Sequence, residues 1–279
     1  MTVTIIGTGL IGCSLAYCLR QTGFAQRIIG VDTNPQNLKT AIRLGWIDEG
    51  MQPELALAPA ELIIIAVPVD ATLELLPGLM DKVDRQVVMD VGSAKKLIGD
   101  SIAGHAHRKN FVATHPMWGT ERSGPEAVVK EAFKDRVAVI CDKEKSDHEA
   151  LALVEKLYES IGMKLVYMES GNHDIHAAYV SHISHVASYA LSITVLEKEK
   201  EENTIFELAS GGFESTVRLA KSNAAMWVPI FRQNRENVLD VLNEHISQLK
   251  KFKSCLEKED YEYLTKLILQ ANKIKRILK

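Results

Sequence analysis

The segment Gly7-Thr8-Gly9-Leu10-Ile11-Gly12 stands directly after a short β-branched run, residues 3–6, and directly before a helical pattern, residues 11–22. Three glycines at that spacing, wedged between a strand and a helix, restrict the chain to few folds. The first allows a sharp turn, the second lets the backbone approach a pyrophosphate, and the third lets helix and strand pack closely. The free N–H groups at the helix start, those of Leu10 and Ile11 among them, then meet the phosphates. Asp32 comes twenty positions after Gly12, at the end of the second β-rich run. A carboxylate there accepts hydrogen bonds from the adenosine ribose hydroxyls and repels a 2′-phosphate. Thr33 and Asn34 follow it, with no arginine beside it. These residues predict a dinucleotide site selective for NAD over NADP. Asp32 alone also reads as a turn residue or as a cap for the helix that begins at Pro35.

The same alternation continues downstream. Residues 28–31, 62–67, 87–91, 111–113 and 137–140 are continuous apolar runs. Runs without polar alternation suit strands buried on both faces, as in a parallel sheet. Helical patterns at 35–44, 71–83 and 94–102 separate them, and 137–140, 147–161 and 164–168 make a last strand–helix–strand unit. This predicts an α/β, doubly wound, Rossmann-type dinucleotide-binding domain over residues 1–169. From 170 onward no strand-like run occurs. Residues 171–198 read as one long helix capped by Ser170 or Asn172. Leu239, Leu242, Ile246, Leu249 and Leu256 form one apolar stripe, and Leu264, Leu267, Ala271, Ile274 and Leu278 another. The expected second domain, 170–279, is all helical, and its stripes predict pairing with a second copy into a homodimer.

Composition removes other classes. The 279 residues carry a net charge of −3, which does not suit a protein that binds nucleic acid by neutralising phosphates. No apolar run approaches the roughly 18 residues of a membrane span, and no basic and apolar leader opens the chain. Cys13, Cys18, Cys141 and Cys255 are scattered, which suits small buried hydrophobes in a reducing cytoplasm and predicts no structural metal.

Ligand contacts in such sheets come from strand ends. Val67 and Pro68 close one strand and are expected to wall the cofactor cleft. Asp90-Val91-Gly92-Ser93 closes another. The loop from Thr114 to Gly124 is dense in His, Trp, Glu and Arg, and His115 is its candidate acid/base. Ser93 is expected to hold or orient His115, and it equally suits an N-cap for 94–102. His182 and His185 share a face of the long helix, preceded by His173, Asp174 and His176. Without a His-Glu-x-x-His pattern or a cysteine cluster, they are expected to line a polar cleft and not to bind metal. His105 and His107 are expected to face solvent. Gly211-Gly212 reads as a hinge before a short helix on which Arg218 and Lys221 share a face. A guanidinium beside polar histidines suits recognition of a carboxylate. Trp227 reads as core.

The glycine turn, Asp90-x-x-Ser93, His115-Pro116-x-x-Gly119-Thr120-Glu121-x-Ser123-Gly124, Ser181-His182-x-x-His185, and Gly211-Gly212-Phe213 through Arg218 to Met226-Trp227 together resemble the prephenate/arogenate dehydrogenase family. They span nearly the whole chain in order. The resemblance implies a small-molecule substrate and NAD-dependent oxidative decarboxylation of prephenate to 4-hydroxyphenylpyruvate. It implies that His115 accepts a hydrogen bond from the ring hydroxyl and that Ser93 positions it and the nicotinamide. By the same resemblance His185, Arg218, Glu121, Trp227 and Gly211 belong to the substrate side, with Arg218 as carboxylate anchor. The chain departs from the family at Glu214-Ser215, where Lys-Asp occurs, and at Trp118, where a smaller residue is common. These departures keep arogenate as the alternative substrate. A β-hydroxyacid dehydrogenase would place a lysine on the long helix, and none lies between Tyr179 and Glu197. A non-catalytic NAD sensor would not need Ser93, His115, His185 and Arg218 around one cleft.

Overall fold

The computed structural model describes residues 1–202 and 204–277. Alternating strands and helices run β1 (Thr2–Ile6), α1 (Leu10–Gln21), β2 (Arg27–Val31), α2 (Pro35–Arg43), β3 (Glu49–Gly50), α3 (Pro53–Leu57), β4 (Leu62–Ile65), α4 (Val69–Met80), β5 (Val87–Asp90), α5 (Lys96–Ser101), β6 (Phe111–Pro116), β7 (Val137–Cys141), α6 (His148–Ser160) and β8 (Lys164–Met168). They form one sheet in the order β3-β2-β1-β4-β5-β6-β7-β8. The order reverses between β1 and β4, which opens a crevice beyond their C-terminal ends.

Why the apolar runs lack alternation is visible in the packing. Val3, Ile5, Leu62 and Ile64 enter one core with Leu15 and Leu19 of α1 and Val154 and Leu157 of α6. Ile6, Ile63 and Ile65 enter the opposite core with Leu76 and Met80 of α4. Successive side chains of a strand point to opposite faces, so both faces must be apolar. Helix starts follow their caps: Asn34 accepts from Gln36 N–H ahead of Pro35, and Asp147 accepts from Glu149 N–H.

The sheet departs from the expected all-parallel form at β7, which pairs antiparallel with β6. The long connection between them, with no helix to cross over, explains the reversal. It folds back over α1 and α2, where Trp46 Nε1 donates to Pro125 O at 3.0 Å. The strand β3 and helix α3 were not foreseen.

After β8 the chain is helical: α7 (Ser170–Ala177), a π-helical turn (Ala178–His182), α8 (Ile183–Glu202), α9 (Gly211–Val217), α10 (Ala224–Gln233), α11 (Arg235–Glu257) and α12 (Tyr261–Ala271). The predicted single helix over 171–198 is thus interrupted. Neither Ser170 nor Asn172 caps it; the cap residue is Glu169, and Asp142 Oδ1 accepts Ser170 N–H at 2.8 Å. Leu278, the last residue of the second predicted stripe, lies outside the described residues. Residues 170–235 belong with the sheet to one compact unit, Met1–Arg235, and Glu236–Lys279 is the other. The switch from sheet to helices near 170 is therefore a change of architecture within a compact unit. All four cysteines are buried and free. No described helix is long and apolar enough to cross a membrane.

Gly12 carries the tightest constraint in the fold. A Cβ there would overlap the carbonyl oxygen of Gly7 and press on Ile5 Cγ2 at 3.0 Å. Gly12→Ala is expected to destabilise the protein by about 1–3 kcal/mol, because α1 must move off β1. Urea unfolding of both proteins measures this, and an unchanged midpoint would show that the contact yields freely.

Candidate functional site

The glycine turn sits in the crevice. Gly7 adopts a φ of 101° and donates its N–H to Val31 O at 2.7 Å. Gly9 precedes α1, which has no side-chain cap, so the N–H groups of Leu10 and Ile11 are left to a ligand. No atom comes within 4 Å of where a Cβ on Gly9 would stand. An uncapped twelve-residue helix opening on clear space is a cradle that fits a pyrophosphate. Asp32 follows β2, half-buried. Its Oδ2 accepts from the N–H and hydroxyl of Thr8, both at 2.9 Å, and its Oδ1 accepts Asn34 N–H. The cap of α2 is Asn34, not Asp32. Val67 Cγ1 lies beside Gly7, and Pro68 is the exposed residue from which α4 starts.

Two strands away, β5 and β6 end in a buried polar web. Lys95 and Asp90 form an ion pair with neither side chain exposed. Lys95 Nζ also donates to Thr114 O at 2.6 Å, and Asp90 O accepts the Thr114 hydroxyl at 2.6 Å. Their joint effect is to lock the end of β5 to the residue before His115. Lys95 was missed from the sequence, where a lysine reads as solvent-facing. Its spacing in Asp90-x-x-Ser93-x-Lys95, at a strand end, was the available signal.

His115 lies on β6 itself and not in a loop, and it is buried. Its Nδ1 meets His173 Nε2 at 2.9 Å, and His173 Nδ1 meets Asp174 Oδ1 at 2.8 Å. Asp174 also accepts the N–H groups of Lys95 and Lys96, at 2.8 and 3.0 Å. That carboxylate takes the place expected of Ser93. The helix α5 begins at Lys96, two residues later than predicted, and Ser93 is half-buried and caps nothing. Among the described residues, no hydrogen bond joins Ser93 to His115.

The polar chain continues into the helices. Asn234 Nδ2 donates to Asp174 O at 2.7 Å and to His182 Nδ1 at 3.1 Å. This leaves the proton of neutral His182 on Nε2. His182 Nε2 and Trp227 Nε1 are both buried without a protein partner. Trp227 is 6% exposed and stacks on His185, with ring centroids 3.4 Å apart. His185 Nδ1 donates to Ser181 O at 3.1 Å. Arg218, half-exposed, pairs with Glu121 at 3.4 Å, and its charge acts on His185. The structure thus brings His115, His182, Trp227 and His185 onto one connected series of contacts, and the Arg218–Glu121 pair acts on His185 by charge alone. Gly211 stands apart from it. It is exposed and begins α9, so the expected hinge is the first turn of a helix. His105 and His107 are half-buried, and His105 Nε2 pairs at the surface with the exposed Asp81 at 3.0 Å. Among the described residues, no group of three or more His, Cys, Asp or Glu is arranged to hold a metal.

Burial sets the charge of the three histidines. Burial first, then His173, Lys95 and His182, hold His115 well below the ordinary imidazole range. Burial brings His182 down to about 4 against the pull of Asp174. Burial and Arg218 lower His185, and the Ser181 carbonyl opposes them. In the unfolded chain each ring titrates near about 6.5. Below that pH the unfolded state binds more protons, so stability rises with pH through the window from the folded values up to about 6.5. Above the window the contribution is complete. The slope is up to about 1.4 kcal/mol per pH unit for each histidine. Thermal melts on a pH series should show Tm falling on acidification, less steeply in His182→Gln. Parallel slopes in both proteins would show that His182 is not one of the responsible groups.

Residues 15–167 match the family model for the prephenate dehydrogenase nucleotide-binding domain, and residues 169–270 match that for its dimerization domain. Prephenate dehydrogenase of Bacillus subtilis (strain 168) is 30% identical over 267 residues, covering 94% of this chain and 72% of that protein. The crystal structure of prephenate dehydrogenase from A. aeolicus, in complex with hydroxyphenyl propionate and NAD+, superposes with a TM-score of 0.89 at 32% identity, covering 99% of this chain and 97% of that one. Synechocystis arogenate dehydrogenase superposes with a TM-score of 0.78 at 26% identity over 100% of both chains. A nucleotide-binding sheet followed by helices, with matches along nearly its whole length, establishes that this chain belongs to the prephenate dehydrogenase family.

Proposed function

We propose that the protein catalyses the NAD-dependent oxidative decarboxylation of prephenate to 4-hydroxyphenylpyruvate. The observation that carries this reading is the bond of His115 Nδ1 to His173, which leaves the other ring nitrogen for a substrate hydroxyl. The glycine turn, Leu10, Ile11, Asp32, Val67 and Pro68 hold the cofactor. When bound, NAD takes up the hydrogen and two electrons that leave the ring carbon. His115 accepts the hydroxyl proton while that C–H bond breaks. Carbon dioxide then departs, its C–C bonding electrons enter the ring, and His115 returns the proton to the oxygen. Aromatisation drives the sequence, so the protein mainly orients, exchanges one proton and matches charge. Because burial keeps His115 neutral, it is a proton acceptor at neutral pH.

Arg218 supplies the cation for a substrate carboxylate, and Glu121 sets its direction through their ion pair. The buried N–H groups of His182 and Trp227 are donors for a substrate oxygen. His185 completes the substrate side, Gly211 reaches it only if α9 approaches a bound substrate, and Ser93 faces cofactor and substrate from the segment after β5. On this reading residues 1–169 hold the cofactor. Residues 170–279 form the substrate and dimerisation part, through which two copies pair. One observation favours arogenate as a second reading. Neutral His185, donating through Nδ1 to Ser181, offers Nε2 as an acceptor, and an ammonium is a donor.

Absorbance of reduced cofactor, followed with prephenate or arogenate and with NAD or NADP, tests the assignment. NADH is expected from prephenate and NAD. Cofactor binding without turnover of either substrate would end it. His115→Asn is expected to lower kcat by about 10²- to 10⁴-fold with substrate binding retained. Normal turnover would remove His115 from the chemistry. Arg218→Gln should raise KM by about one to two orders of magnitude, since a charged hydrogen bond contributes about 1.5–3 kcal/mol. An unchanged KM would place the anchor elsewhere.

A further inference from the structure

We propose that His173, held by Asp174, is a positioning residue that fixes His115 in the tautomer able to take a proton from a bound hydroxyl. This rests on the reading of His115 given above.

The direction of each bond follows from Asp174. Its two oxygens already accept the backbone N–H groups of Lys95 and Lys96. A carboxylate with a donor on each oxygen is an acceptor, so the bond with His173 runs from Nδ1–H to Oδ1. Neutral His173 then has a bare Nε2, which accepts from His115 Nδ1–H. The single proton of His115 is thereby placed on Nδ1 and its lone pair on Nε2. With His173 in the other tautomer, His115 would carry its proton on Nε2 and present a donor where the reaction needs an acceptor.

The surroundings support this arrangement. Lys95, paired with Asp90, faces His115 from the segment between β5 and α5, His173 from α7 with Asp174 behind it, and His182 from the π turn. Tyr158 of α6 bonds the neighbouring Thr114 hydroxyl. The side chains of His173 and Asp174 are 2% and 4% exposed, so they act through His115 and not on substrate. When His115 takes up a proton at Nε2, its Nδ1–H still donates to His173, and His173 still donates to Asp174. The carboxylate charge thus reaches the transient imidazolium through one intervening ring. A carboxylate performs the same service for a catalytic histidine directly in the Ser-His-Asp arrangement.

The experiment has a spectroscopic arm and a kinetic arm. Histidine-ring ¹⁵N spectra of the free full-length protein, assigned with His115→Asn, are expected to show His115 protonated on Nδ1. A ring protonated on Nε2 overturns the proposal. His173→Leu should lower kcat about 100-fold with substrate KM within about threefold. His173→Gln, whose carbonyl oxygen can stand in for Nε2, should recover at least about tenfold of that loss. Equal activity of the Leu and Gln variants, or a loss confined to KM, overturns it. Should the Leu variant fail to fold, the spectrum of His173→Gln decides, with the Nδ1 proton expected to persist. The spectra need no substrate, so the two readings fail separately. The expected tautomer with no turnover of prephenate or arogenate defeats the assigned activity alone, and turnover with an Nε2 proton defeats only the relay.

Discussion

Asp174 is the joint on which the site depends. Its side chain accepts two backbone N–H groups at the start of α5 and one from His173, while its own carbonyl accepts from Asn234. One buried residue therefore ties the first helix after the sheet to the start of α5, through His173 to His115, and through its carbonyl to the residue that orients His182. Beneath it, the Lys95–Asp90 pair fastens β5 to β6. Breaking a buried pair of this kind by removing one partner typically destabilises by about 3–5 kcal/mol. Geometry at His115 is thus bought with groups that are fully paired, which is the condition for a buried polar network to rigidify a site.

The same burial decides the chemistry. A general base must be unprotonated at the working pH. Three imidazoles shielded from water, with Lys95 and Arg218 adding positive potential, stay neutral where exposed histidines would begin to charge. Arg218 is left half in solvent, paired with the half-exposed Glu121. That separation suits a substrate whose hydroxyl goes to a neutral acceptor and whose carboxylate goes to a permanent charge. Acid sensitivity of the fold follows from the same arrangement, because protons that enter the rings on unfolding favour the unfolded chain.

Much of the sheet was legible because parallel strands buried on both faces leave continuous apolar runs, as at Leu62–Ile65. The glycine turn and Asp32 were legible because turn, helix start and carboxylate obey fixed spacing. Strand direction was not, since an apolar run such as Val137–Cys141 is the same in either sense, and the reversal comes from the connection before it. Glu49–Gly50 and Pro53–Leu57 are too short to show a period. The candidate site was legible as a list of side chains but not as a network. His115 falls in the expected loop because the apolar run stops at Ala113, yet β6 continues through Pro116. His173 and Asp174 were seen only as neighbours of the helix histidines. Their bonds reach 58 and 79 positions back along the chain, to His115 and to Lys95. Lys95 was overlooked although Asp90 stands only five positions before it, because what buries the pair is the packing of β6 and α7 around it, with Thr114 O and Asp174 as further partners.

The π turn explains how one helical segment supplies both ends of the polar chain. Nine residues separate His173 from His182, and at about 100° per residue an unbroken α-helix would set them on opposite faces. Yet Asp174 carbonyl and His182 Nδ1 both bond to the same Asn234 amide. The wider turn over Ala178–His182 slows the rotation and brings the later histidines round toward the side of His173. Such turns replace regular i→i−4 bonds and persist where a site requires them. Here His173 reaches His115 on β6 while His182 and His185, beyond the wider turn, meet Trp227.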